Sequence, residues 1–380
     1  MSALSRSSVK SKRNIVLLGT DSRESHSKAK HYAEAARELG FAVRTHPDQR
    51  TIGVFPCSDH SAGETASLCR LHGIPGPDPI AVAIASNKSH AYHFLASEGF
   101  RVLYWHTPVC EDDLAGDFDR PIIVKPECGS GSFARHDWGY RTFRNVSAFR
   151  RYLEARRLKR AFFTHQENPY SGSGRYIFME YVDARDLYIV AAVVGDRNLA
   201  VCLRGSARIM PGPKVLDRIL VGKPHRDADS IVEMITAFAK AGLRRTVVYV
   251  QCVERGGRLY PIDINLRPGT MWELAADALG LRLYTRMLGF MLGLEDRFRF
   301  KWPAPYVGIR RMNLPLSDGR RKVRFGPGCI PLISKLSYDP EKPYDLGHAW
   351  PMFAVLCDRP EQFDSRARAV IKAARITTLG

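Results

Sequence analysis

Residues 246–267 read TVVYVQCVERGGRLYPIDINLR. Two apolar runs, 246–254 and 258–264, flank Arg255-Gly256-Gly257, the pattern of a β-hairpin. Strand side chains alternate between faces, so Asp263 and Asn265 project together, with Arg267 beside them if the strand stays extended. Gln251 depends on the turn. A two-residue loop at Gly256-Gly257 pairs Glu254 with Leu259 and sets Gln251 on the face opposite Asp263. A three-residue loop, 255–257, pairs Glu254 with Arg258 and gathers Gln251, Asp263 and Asn265 on one face. Glycine suits the left-handed position of that longer loop. An aspartate between Ile262 and Ile264 is costly to bury without a partner. Oxygen donors converging there suit Mg²⁺, which takes its remaining ligands from water and phosphate. Arg267 can clamp a phosphoryl oxygen.

Working outward, residues 120–126 form a compact strand whose apolar run 121–124 is closed by Lys125. A glycine-rich stretch follows, Glu127-Cys128-Gly129-Ser130-Gly131-Ser132. A lysine there can neutralise phosphate, and successive loop N–H groups can cradle the rest. No Gly-Lys-Ser/Thr follows, so this is not the P-loop. Upstream, strands over 14–19, 41–45 and 51–55 alternate with helices over 25–39 and 59–72, an α/β opening with parallel strands. Gly73-Ile74-Pro75-Gly76-Pro77 is a turn. A short helix over 79–85 comes next, and Asn87-Lys88 opens another. Strands over 176–181 and 187–194 are joined by residues 182–186. An amphipathic helix carries Ile231, Met234, Ile235 and Phe238 on one face and ends at Gly242. Residues 353–357 and 360–374 read as strand plus helix.

Five motifs in this order, between residues 59 and 267, resemble the ATP-grasp superfamily, nearest to carboxylate–amine ligases that make dipeptides or peptide-like metabolites. They are the turn 71–77, Ser86-Asn87-Lys88, the strand and glycine loop 122–132, the hinge 178–186, and Gln251 with Asp263 to Arg267. The resemblance implies an α/β protein with the ATP-grasp fold behind a Rossmann-like opening lobe. It divides the chain into lobes at 1–85, 86–180 and 181–380. It implies an enzyme that uses ATP and Mg²⁺, two ions for which Mn²⁺ can substitute, to join a carboxylate to an amine through an acyl phosphate. By the same resemblance Lys88 and Lys125 touch the ATP phosphates, and Gly129, Ser130, Gly131 and Ser132 line them. Glu180, Tyr181 and Val182 read the adenine, and Asp186 the ribose. Gln251, Asp263 and Asn265 hold the metal, and Arg267 steadies the transferring phosphoryl group. Ala184 stands where the family has glycine, Asp186 where it has glutamate, and Leu266 where it has proline. A carboxylase or carbamoyl-transfer enzyme working through carboxyphosphate is the alternative chemistry.

The remaining features bound the answer. No apolar run reaches the ~18 residues of a membrane span. Eight scattered cysteines lack zinc spacing and read as reduced, structural thiols of a cytoplasmic protein. Residues 1–13 read as a polar, basic tail. The formal net charge of +18 admits a solvated basic surface, the gathering of small anions, or nucleic-acid binding. Arg141 to Arg160 holds eight basic residues against Glu154 alone. No aromatic stacking pattern is evident beside it, so the charge reads as serving small-molecule substrates and solubility rather than a polymer. Arg204, Arg208 and Lys214 around residues 211–213 are open between substrate contact and surface charge. Residues 168–175 are a candidate lid, and Trp272 and Glu273 candidates for the acceptor pocket. A homodimer is compatible with the resemblance.

Overall fold

The computed structural model describes residues 13–20, 23–108, 110, 112–114, 119–128, 141–158, 160, 162, 176–209, 216–222, 225–269, 273, 282–298, 303–311, 320–333, 335–336 and 352–379. The tail before residue 13, the loop of Gly129, Ser130, Gly131 and Ser132, residues 168–175 and 211–214, and Trp272 lie outside them.

The chain opens with β1 (Asn14–Leu18), α1 (Arg23–Glu38), β2 (Ala42–Arg44), β3 (Thr51–Pro56) and α2 (Ser61–Leu71). The three strands are parallel in the order β2-β1-β3, so β1 is central and buried throughout. Asp78 then caps α3 (Pro79–Ser86), accepting hydrogen bonds from the N–H groups of Ile80 and Ala81. Asn87 caps α4 (Lys88–Ser97) through a 3.0 Å bond from His90 N–H. Both caps satisfy helix N–H groups that lack an intrahelical partner.

A small antiparallel sheet follows: β4 (Trp105–His106), β5 (Ile122–Pro126), β6 (Thr142–Phe143) and β7 (Tyr176–Glu180), in the order β4-β7-β5-β6. Helix α5 (Val146–Ala155) buries Val146, Phe149 and Leu153 against it, with Ile122, Val124 and Phe178.

The large sheet has eight strands. In spatial order they are β12 (Arg258–Asn265), β11 (Thr246–Arg255), β8 (Asp186–Val194), β9 (Leu199–Ile209), β10 (Leu216–Val221), β13 (Tyr306–Arg311), β17 (Met352–Cys357) and β15 (Ile330–Ile333). Both faces are covered. One packs on α1, β1, β3 and α7 (Leu283–Met291), the other on α3, α4 and α6 (Ala228–Lys240), with α8 (Gln362–Lys372) farther along. Burial on both sides is why β8 reads as a near-continuous apolar run instead of alternating. A last sheet joins β16 (Lys335–Leu336), β14 (Arg320–Arg324) and β18 (Arg375–Leu379).

The hairpin takes the two-residue loop of the first alternative but not the placement of Gln251 that went with it. Glu254 pairs with Leu259 and Arg255 with Arg258, so the loop is the two-residue Gly256-Gly257. Both glycines have positive φ, +58° and +73°, as the tight twisted turn of a hairpin requires. The three-residue loop is therefore wrong, yet Gln251 still lies opposite Asp263. The register shifts between Gln251 and Cys252, leaving Ile262 as an extra residue. A β-bulge in β12 does what the longer loop would have done. Pro261 is accommodated because β12 is an edge strand.

Candidate active site at the junction of the sheets

Asp263 and Asn265 lie two residues apart on β12 and share a face, and Gln251 sits across from Asp263 on that face. Asn265 Nδ2 donates to Asp263 Oδ2 at 3.2 Å. Lys88 Nζ lies 3.3 Å from Asp263 Oδ1, the lysine side chain 8% and the aspartate 19% exposed. Lys125 Nζ donates to the Ile262 carbonyl at 3.0 Å, the backbone oxygen at the bulge. Two lysines, one from the start of α4 and one from β5, thus meet the bulged end of β12.

Backbone contacts fix the two lysines relative to one another. Lys88 N–H donates to the Glu127 carbonyl at 2.8 Å, and Asn87 bridges to Cys128. Lys88 stands at the first position of α4, where the helix dipole disfavours a cation by roughly 0.3–1 kcal/mol. The Asp263 carboxylate offsets that cost. Burial pushes the Asp263 carboxyl up, but Lys88, Lys125 and the Asn265 hydrogen bond together hold it below the usual carboxylate range. It is anionic at neutral pH.

Arg267 is buried just beyond β12. Its Nη2 donates to Asp59 Oδ2 at 2.7 Å, a bridge to the loop before α2, and its Nη1 donates to the Pro268 carbonyl at 3.2 Å. Deeper in the same junction, Lys28 Nζ lies 3.3 Å from Glu273 Oε1, and Tyr284 donates to that oxygen at 3.0 Å. Sequence reasoning missed Lys28, Asp59 and Tyr284. A signal existed for Lys28: it shares α1's buried stripe with Tyr32, Ala35 and Ala36. Nothing local marks Asp59.

At the hinge, Glu180 ends β7, and its carboxylate accepts from Arg255 Nη1 at 2.7 Å, with Arg120 Nη1 at 3.6 Å. Tyr181 N–H donates to the Pro121 carbonyl at 2.7 Å, and Ala184 N–H to that of Val182 at 2.8 Å. Val182, Ala184, Leu187 and Ile262 pack with Ile177, Met179 and Val253 into an apolar layer between the two sheets. Asp186 begins β8 and is bonded to Arg208 at 2.8 and 3.0 Å. Arg204 pairs with Asp229 at 2.8 Å. The structure therefore brings Lys88, Lys125, Gln251, Asp263 and Asn265 together, with Arg267 next in the chain. Glu180 and Asp186 lie apart, each tied to arginine.

The donors near Asp263 are oxygens, with one carboxylate and two carboxamides. Among the described residues no three His, Cys, Asp or Glu side chains group as a metal centre. That set fits a single hard cation completed by phosphate and water better than two. The cysteines are free thiols, and five of the eight are buried. No described helix is long and apolar enough to cross a membrane.

No protein-family model matches the chain, and no curated protein matches it. Solved structures do. An L-amino acid ligase from Bacillus licheniformis has a TM-score of 0.66 at 12% identity, over 97% of this chain and 99% of that one. Phosphoribosylglycinamide synthetase from Anaerococcus prevotii has a TM-score of 0.63 at 13% identity, over 96% and 99%. The biotin carboxylase domain of a Hydrogenobacter thermophilus 2-oxoglutarate carboxylase, solved with MgADP and bicarbonate, has a TM-score of 0.66 at 14% identity, over 97% and 91%. A likeness that runs through nearly the whole of both chains at such low identity is one of architecture, and it gives this protein the ATP-grasp fold behind a Rossmann-like opening lobe.

Proposed function

We propose that this protein is an ATP- and Mg²⁺-dependent ligase that joins a carboxylate, of the amino-acid or peptide-like class, to an amine. The observation that carries the reading is the meeting of Lys88 and Lys125 with Asp263, Asn265 and Gln251 at the bulged end of β12. The solved relatives include an amino acid ligase, and one was solved with MgADP. The lobe division at residues 85 and 180 belongs to the same reading.

In this scheme Lys88 and Lys125 neutralise the triphosphate, with the loop of Gly129 to Ser132 lining it. The apolar layer at Val182, Leu187 and Ile262 receives the adenine beside Glu180 and Tyr181. Asp186, although bonded to Arg208, keeps acceptor capacity for the ribose hydroxyls. Gln251, Asp263 and Asn265 would hold Mg²⁺, which supplies charge neutralisation at the phosphates when bound. A substrate carboxylate oxygen then attacks the γ-phosphorus in line, and ADP leaves. Arg267, held by Asp59, meets the charge on the transferring group. The amine nitrogen attacks the acyl carbon and loses a proton, and phosphate departs. The acyl phosphate hydrolyses in water, so the site has to close over it.

The test is phosphate release from ATP and Mg²⁺ across pairs of amino acids, with bicarbonate and biotin as separate arms. Release that needs both a carboxylate and an amine is expected. Release driven by bicarbonate alone would replace this reading with the carboxyphosphate one. ATP binding without release under any pair would sink both.

A further inference from the structure

The edge of the small sheet carries a dense cationic face. All seven arginines between residues 141 and 160 are exposed, and Glu154, the segment's one acid, is bonded to Arg150 at 3.1 Å. The apolar residues of α5, Val146, Phe149 and Leu153, are buried in the core beneath. What faces outward is seven arginines, with the small or polar Thr142, Ser147 and Ala155 and the single acid Glu154 among them.

Two features go beyond charge. Tyr152 is flanked by two guanidinium groups, Arg141 at 4.6 Å and Arg156 at 5.4 Å from the ring centre, and Arg141 also covers Phe143 at 5.8 Å. The aromatic stacking that the sequence did not disclose is therefore present. A guanidinium laid on a ring keeps its donor edge outward and has less freedom to lose on binding. Arg157 is the second feature. It closes α5 with φ +54°, where glycine is the favoured residue. Its N–H donates to the Glu154 carbonyl at 3.0 Å, and Leu158 N–H to that of Leu153 at 2.8 Å. A cationic side chain occupies a position that local backbone geometry would give to glycine.

The chemistry selects the partner. An anionic membrane would be gripped by an amphipathic helix with an outward apolar face, but that face of α5 is buried. Among the described residues, no large exposed hydrophobic side chain falls between 141 and 160. A protein interface wants an apolar centre, and the apolar residues of α5 are turned into the core. Phosphates spaced along a flexible strand suit a row of arginines, and unpaired bases stack on guanidinium planes. We propose that this face is a docking surface for a single-stranded polynucleotide, held through its phosphates and through bases stacked on the pinned guanidinium groups. The inference is independent of the ligase chemistry.

The test uses the full chain and fluorescein-labelled oligouridylate and oligothymidylate of about 20 nucleotides, titrated by anisotropy from about 50 to about 200 mM KCl. Duplex DNA, phosphatidylserine vesicles and polyglutamate form the comparison arms. Single strands should bind at least tenfold more tightly than any of these. An Arg144→Gln, Arg151→Gln, Arg160→Gln triple variant should weaken single-strand binding tenfold or more. It should also flatten the slope of log K against log salt by about 2, since each neutralised phosphate contributes roughly 0.7. Arg157→Gly guards against a folding artefact: its melting temperature should be equal or higher while binding falls a few-fold. Wild-type affinity in both variants overturns the proposal, as does equal binding by duplex, vesicles or polyglutamate.

Discussion

Asp263 and Glu273 are two carboxylates on one stretch of chain, each 3.3 Å from a lysine of another element, and they are held in opposite senses. Asp263 faces Lys88 and also feels Lys125, and its carboxyl lies below the usual range despite burial. Glu273 faces Lys28, and burial pushes its carboxyl up further than Lys28, Tyr284 and Arg267 pull it back. The difference is in access and in the number of cations. The Lys28–Glu273 pair is closed, with side chains 0% and 5% exposed. Asp263 keeps 19% of its side chain open at the meeting of two sheets. A sealed pair can only hold α1 to the chain that follows β12. A partly open carboxylate kept anionic by two lysines can take a cation and sit beside phosphate.

Three experiments sharpen or break that contrast. The largest effect is expected at the sealed pair. Lys28→Met leaves Glu273 buried and unpaired, a loss of about 3–5 kcal/mol. Lys28→Met with Glu273→Leu should recover most of it, because no charge is then stranded. The pH dependence has a definite sign. A carboxyl with a raised folded pKa favours the folded state fully below its unfolded value, about 4.3 for Glu, and that contribution is lost as pH rises through the folded pKa. The melting-temperature deficit of Lys28→Met should therefore be greatest at pH 8 and shrink toward pH 5. A deficit independent of pH would mean that Glu273 is not the stranded group.

Next comes Asp263→Asn, which should lower phosphate release about 10²–10³-fold, the scale for removing one charge-stabilising group. It also leaves Lys88 and Lys125 without their carboxylate, so its melting temperature should fall, and Lys88→Met added to it should restore stability but not turnover. Wild-type Asp263 stabilises the fold above the ordinary Asp pKa of about 3.9 and loses this as pH falls through its lower folded value. Below about pH 4 the wild-type melting temperature should accordingly fall more steeply than that of Asp263→Asn. Near-normal phosphate release from the variant would remove Asp263 from the site.

The smallest effect is expected at Lys125→Ala. A lost charged hydrogen bond is worth about 1.5–3 kcal/mol, so ATP affinity should drop about 10- to 100-fold in calorimetry while adenosine affinity stays level. Equal losses for the two ligands would place Lys125 away from phosphate.

Much of this arrangement was legible in the chain. Period-two alternation in 258–267 marked Asp263 and Asn265. Asn87 marked a helix start, and it caps α4 as local chemistry requires. Strands β4, β6, β9, β10, β13 to β16 and β18 were not assigned. Arg204, Gly205 and Arg208 interrupt β9, and its pairing with β8 and β10 decides the strand more than its own pattern does.

The sequence by itself determined the α/β class, the hairpin, and the places of Lys88 at a helix start and Lys125 near a strand end, because these rest on local periodicity, capping and glycine. Tertiary structure alone decided three things. It placed an extra residue at Ile262, which set Gln251 opposite Asp263 with the shorter turn. It brought Asp59 to Arg267 across 208 residues of chain and sealed Lys28 against Glu273. It also laid Arg141 and Arg156 on Tyr152. Each depends on register or on packing between distant segments, which no run of neighbouring residues encodes.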